Sequence, residues 1–330
     1  MALFLLTLTF MTRLTAVDST ANITSCTSLS NDQCKQNLTS CPQPPCAFSC
    51  GRTAPQYSCS QDCSPSGNLT EGNICGALEC QASDYCNQIC LRLDCNSLSC
   101  TSRNCRQTCT LADCRSMTCQ QSVISCEQMV LIPPKGQVMK CDAKSCNQNC
   151  QRSSMGHSCD MTCSETVETC DQTVRSSKSS QLQCSAGVKN CTQRLQLFAI
   201  GHLECDASRC VQQCSLSSCS MKCLSSAREC TQTQDGFGSE EVTMFCDADI
   251  CRQHCGDAKC NVTCSSTVKE CYQTCNSGNC LVTCDAENCY GVKGMSTTPI
   301  PTWFYPTDGV SPTQGTLQTL CLVVMLYALI

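Results

Sequence analysis

Four Cys-Asp-Ala triplets set a carboxylate directly after a cysteine, at Asp142, Asp206, Asp247 and Asp285. Asp247 and Asp249 also flank Ala248, a spacing that sends both carboxylates to one side of a strand. Acids grouped on one face suit polysaccharide cleavage or Ca²⁺ ligation. The competing reading is a solvated turn residue that recurs because a repeat recurs. The four triplets do not fall in adjacent repeats, so they cannot build one compact site, and glycine-rich calcium nonapeptides are missing. Three histidines, His157, His202 and His254, and no C-x2-C knuckle argue against zinc. The chain also lacks a nucleophile elbow, a phosphate loop and an H-E-x-x-H helix. The expectation is a non-enzymatic protein without a cofactor or metal. A carbohydrate-active β-helix enzyme is the alternative.

The elements that would position these residues show in the cysteines. There are 43 in 330 residues, far above the level that marks a disulfide scaffold. The 41% apolar fraction includes them, so the remaining core is thin. Ordering each residue costs roughly 1–2 kcal/mol of backbone entropy. Cross-links must therefore carry much of the stability, in an oxidising compartment. An apolar residue stands two positions before a cysteine in Leu78-x-Cys80, Leu98-x-Cys100, Met117-x-Cys119, Met139-x-Cys141, Met161-x-Cys163 and Leu182-x-Cys184. Leu203-x-Cys205, Met221-x-Cys223, Met244-x-Cys246, Val262-x-Cys264 and Val282-x-Cys284 complete the series. An i, i+2 pair shares one face of a strand, and a strand returning about every 20 residues marks stacked coils. On a helix the cysteines of one coil would share no face. The predicted fold is all-β: a disulfide-stapled parallel β-solenoid (β-helix), right-handed, with triangular or oval coils. Thirteen coils would stack to a rod on the order of 60 Å. A flexible string of small cystine loops is the runner-up.

A second column pairs cysteine with glutamine two residues on, in Cys86-x-Gln88, Cys105-x-Gln107, Cys126-x-Gln128, Cys146-x-Gln148 and Cys170-x-Gln172. It continues through Cys191-x-Gln193, Cys210-x-Gln212, Cys230-x-Gln232, Cys251-x-Gln253 and Cys271-x-Gln273, with Gly291 replacing glutamine in the last coil. Cys34-x-Gln36 and Cys59-x-Gln61 fit upstream. Stacked amides can hydrogen-bond along a file, so a structural ladder is expected. Two further cysteines come and go together, which makes them partners: Cys90–Cys95, Cys109–Cys114, Cys150–Cys159, Cys214–Cys219, Cys255–Cys260 and Cys275–Cys280. The cysteines present in every coil pair by the same logic, as Cys80–Cys86 or Cys205–Cys210, or else bond between coils.

The chain divides into a signal peptide (1–21), an irregular cysteine-rich cap (22–79), the repeat solenoid (80–293), a Ser/Thr/Pro stalk (294–316) and a hydrophobic tail (317–330). The leader is an apolar run followed by small residues, with cleavage after Ala16 or Ala21, although Arg13 follows the run. A buried N-terminal strand is the other reading. As a helix, the tail reaches about 21 Å against roughly 30 Å of hydrocarbon, with no basic residue beyond it. That is the pattern of a glycolipid (GPI) anchor signal removed on attachment, with Asp308 or Gly309 as the attachment residue. A short single-pass span, a secreted form or a buried segment are the alternatives. N-x-S/T triplets at Asn22, Asn37, Asn68, Asn190 and Asn261 are glycosylation candidates. Asn261 precedes inward Val262 and should face out, whereas Asn190 abuts Cys191 and is expected to be empty. Net charge −5 and a pI near 5.2 exclude nucleic acid as the expected partner.

Ice binding would need a threonine file beside the first cysteine. That position reads Glu79, Ser99, Thr118, Lys140, Thr162, Gln183, Glu204, Lys222, Phe245, Thr263 and Thr283, a mixed face. In layout, with leader, repeats such as CDASRCVQQCSLSSC (205–219), acidic balance and glycolipid-type tail, the chain resembles cysteine-rich surface proteins of marine invertebrate and coral skeletal matrices. The resemblance spans the whole layout and implies an extracellular matrix or biomineral-associated role. The expected partners are matrix, glycan or mineral surfaces, and a membrane through the lipid anchor.

Overall fold

The computed structural model describes residues 22–25, 33–37, 46–50, 58–64, 74–132, 136–151, 158–236, 241–276 and 280–291. Among these every regular element is a strand. Two parallel sheets of 13 strands each run the length of the stack. One begins at Asn22–Ser25 and ends at Cys280–Cys284; the other runs from Gln33–Asn37 to Asn288–Tyr290. Successive strands alternate between the sheets, so each coil gives one strand to each face. The coil is two-sided rather than triangular.

Strand sequences such as NCRQTCT have little intrinsic β preference, and packing supplies what propensity does not. Inward positions alternate: Cys105, Gln107 and Cys109 are buried on one strand, while Leu98 and Cys100 face them from the other sheet. Register carries from coil to coil, Cys86 on Cys105 and Gln88 on Gln107, Leu98 on Met117 and Cys100 on Cys119. The apolar column from Leu78 to Val262 is buried in every coil, and only Val282, in the last, is half-buried.

Cystines close one edge of the flattened coils throughout and, in many of them, the other edge as well. Cys80–Cys86, Cys100–Cys105 and Cys205–Cys210 lie on one edge. On the other are Cys90–Cys95, Cys109–Cys114, Cys150–Cys159, Cys214–Cys219, Cys255–Cys260 and Cys275–Cys280. Interior coils without a second cystine fill its two columns with Val130 and Gln137, Val174 and Ser180, Leu195 and Gly201, or Gln234 and Val242. In two of these, Val174 with Ser180 and Leu195 with Gly201, large stands opposite small, which conserves volume. A Cβ on Gly201 would come within 3.3 Å of Leu195 Cδ1 and closer still to the Ser180 carbonyl oxygen.

The segment 22–79, expected as an irregular cap with two looser coils, has its described strands in the stack. Its strands pair in parallel with one another and with the next coils, so the 79/80 boundary breaks neither sheet. One register shift, between Cys46 and Phe48, marks its irregularity. Cys50–Cys59 and Cys63–Cys75 extend both cystine columns into it. The signal for this was present, since Cys63 follows Cys59 by the same four residues as Cys90 follows Cys86.

The edge carrying the first cystine column turns in two ways, with the bonded cysteines five or seven positions apart in most coils. Both plug the turn with a small apolar side chain: Ala143, Ala207 and Ala248 in the short form, Val123, Val167 and Val188 in the long. The opposite edge turns through a left-handed residue, at Arg92, Leu111, Ile132, Ser176, Leu197 and Leu216. Each donates its amide to a carbonyl one coil on, as Ile132 to Gln151 at 2.8 Å.

Candidate functional site

The glutamine file is continuous. Gln61, Gln88, Gln107, Gln128, Gln148, Gln172, Gln193, Gln212, Gln232, Gln253 and Gln273 each donate from Nε2 to Oε1 of the glutamine one coil earlier, back to Gln36, at 2.7–3.0 Å. Nε2 also crosses to the other sheet, as from Gln107 to the Thr118 carbonyl and from Gln212 to that of Lys222, both at 3.2 Å. Each amide therefore ties neighbouring coils and opposing sheets at once. The file separates two apolar clusters, one around each cystine column. Gln273 ends it: Gly291 has no side chain to offer, and the Gln273 Oε1 is buried without a hydrogen-bond partner.

The acidic triplets are turn structure. In each complete short turn the alanine is buried and the aspartate sits at the surface, Asp142, Asp206 and Asp247 half-buried and Asp285 exposed. The Ser226 hydroxyl donates to Asp206, and the Ser265 and Thr267 hydroxyls donate to Asp247. Thr166 donates to the Asp142 carbonyl at 3.1 Å. Asp249 pairs instead with Lys269, at 3.0 Å. The carboxylates of Asp247 and Asp249 are thus committed to different partners in the next coil. His202 lies on the outer face of one sheet, and His254, on the other, has Nδ1 2.7 Å from Thr274 Oγ1. His157 lies outside the described residues. Among those described, the groups of side chains close enough to share a metal ion are cysteines, such as Cys163, Cys170 and Cys184. Each of these sulfurs is already in a cystine, so the clusters reflect the stacking of neighbouring coils.

Charge on the outer faces pairs between coils. Arg194 meets Asp171 at 2.8 Å, and Glu168 lies between Lys189 and Lys144 at 3.1 and 3.7 Å. The hydrogen bond from Lys189, with the nearby charge of Lys144, holds the Glu168 carboxyl below its usual range. Burial raises that of Asp160, partly countered by the Gln181 amide at 3.2 Å. The Tyr272 hydroxyl donates to Glu270 at 3.0 Å, which raises its pKa. Its ring stacks on Tyr290 at 4.7 Å, with the Arg252 guanidinium 5.6 Å from its centroid.

Of the glycosylation candidates, Asn261 is half-buried at an outward position beside buried Val262. Asn190, which abuts Cys191, is exposed. The reason is alternation: buried Cys191 points inward, so its neighbour must point out. Asn22 and Asn37 belong to the first strands of the two sheets. Asn68, Asp308 and Gly309 lie outside the described residues. Among those described, no helix is long and apolar enough to cross a membrane.

Fold and surface together define a cystine-stapled, two-sheet parallel β-solenoid, a class that belongs in an oxidising, secretory or extracellular setting. No protein-family model matches the chain, and no curated protein or solved structure does.

Proposed function

We propose that this is a non-enzymatic structural or adhesion protein of the cell surface, held there by a C-terminal glycolipid and offering its lateral faces to extracellular matrix, glycan or mineral. The observation that carries the reading is the unbroken amide file between two cystine columns. That interior is devoted to holding rungs together, and stiffness is its evident product. Of the triplet acids, the strongest catalytic candidates in the sequence, Asp206 and Asp247 accept from hydroxyls within the stack, and nearby Asp249 pairs with a lysine. Two experiments test the reading. Treating intact expressing cells with a phosphatidylinositol-specific phospholipase should release the protein into the medium; retention would remove the anchor. The released protein should adsorb to isolated matrix polysaccharide or carbonate mineral without altering it. Polysaccharide cleavage abolished by Asp247→Asn would replace this role with a carbohydrate-active one.

A further inference from the structure

Among the described residues the two ends of the stack are unpartnered and unlike. At one, Asn22–Ser25 and Gln33–Asn37 each have a single strand partner; at the other, so do Cys280–Cys284 and Asn288–Tyr290. Every pairing is parallel, so the groups one end leaves unpaired are those the opposite end of a second molecule could meet. Among the described residues nothing covers the last coil. Leu281 is 63% and Tyr290 46% exposed.

We propose that the C-terminal end of the stack binds the N-terminal end of a second copy of this chain, continuing both sheets into a head-to-tail fibre. The occupant is named by register. Extending the columns by one coil sets Gln33 opposite Asn288, Cys34 opposite Cys289 and Lys35 opposite Tyr290. On the other sheet Asn22 falls opposite Cys280 and Ile23 opposite Leu281. An apolar residue thus meets the exposed leucine. Lys35 shares the register position of Tyr290, so a cation would extend the Arg252–Tyr272–Tyr290 column. The glutamine file does not cross the join, because Gly291 interrupts it, so backbone pairing and these outward columns carry the contact. A join of one coil face is weak and concentration-dependent. Because the contact is heterologous it does not close, and chains lengthen. The axial period would be about 62 Å, thirteen coils of about 4.8 Å. This inference is geometric and does not rest on the functional reading above.

The test is zero-length carbodiimide cross-linking of the purified full chain, followed by peptide mass spectrometry. Links from Lys35 to Asp285 or Glu287 are expected. Within one molecule those residues stand about 58 Å apart along the stack, so such a link must join two copies. Sedimentation should show concentration-dependent linear multimers, and Leu281→Lys or Tyr290→Pro should raise the concentration needed at least tenfold. Leaving rungs 80–264 intact, these changes should preserve the monomer's strand signal. A chain that stays monomeric at every concentration would overturn the proposal. So would multimers indifferent to both substitutions, or links from 280–291 to residues 292–330 of the same chain, which would mean its own tail covers this end.

Discussion

A buried amide is tolerated only when its donors and acceptor are matched, and this chain meets that condition by repeating one residue at one height in every coil. Removing an interior member therefore harms two neighbours. Gln148→Leu leaves the Gln128 acceptor and one Gln172 hydrogen unmatched, at about 1–3 kcal/mol each. Gln273→Leu leaves the Gln253 acceptor buried and unmatched, while the Thr283 carbonyl it also meets belongs to an exposed residue, so its cost should be about half. Guanidinium unfolding with the cystines intact checks the ratio. Asp160 makes the opposite case, a carboxylate that burial penalises. Because its folded pKa is raised, its contribution is complete below the unfolded value of about 3.9 and is lost as pH rises through the folded one. Asp160→Asn keeps an acceptor for the Gln181 amide and removes the penalty. It should stabilise at neutral pH and converge with the parent below about pH 4, read as unfolding midpoints across that range.

At the scale of the element, the strands are ordinary and the turns are not. Left-handed backbone normally belongs to glycine or asparagine, yet Leu111, Ile132, Leu197 and Leu216 adopt it at one edge. The coil reverses there, and the amide of each such residue must reach the next coil's carbonyl. Ile132 is the most strained, being β-branched, and it is 41% exposed, so its side chain returns little burial. Ile132→Asn should stabilise by about 1 kcal/mol, seen as a higher unfolding midpoint. The cystines beside these turns close short loops, worth about 2 kcal/mol each by chain entropy. Their weight comes from number and from the register they impose, which explains how Val174 with Ser180 can stand in for one.

The whole molecule behaves as a stack in which each coil is held by its neighbours, so stability should fall toward an uncovered end. At the C-terminal end the Cys284–Cys289 bond has an exposed sulfur partner, whereas Cys205, Cys210 and Cys246 are fully buried. Titration with a dithiol, quenched by alkylation and read by mass, should reduce Cys284–Cys289 first and Cys275–Cys280 next. Interior cystines should resist until the stack unfolds. Equal labelling along the chain would mean that the coils open independently.

The parallel coils, the glutamine file and the partnership of Cys90 with Cys95 were legible in the residues, because a stacked repeat writes each interior column as a recurring residue type at fixed spacing. That depends only on what sits above and below itself. The stack's extension into 22–79 carried the same marks, blurred by longer connections. Tertiary structure alone decided that each coil has two faces and that the Asp206 and Asp247 carboxylates accept from hydroxyls in the next coil. Those outcomes turn on which residue of one coil lies over which residue of another. Turn lengths and strand register set that alignment, and no local run of sequence contains it.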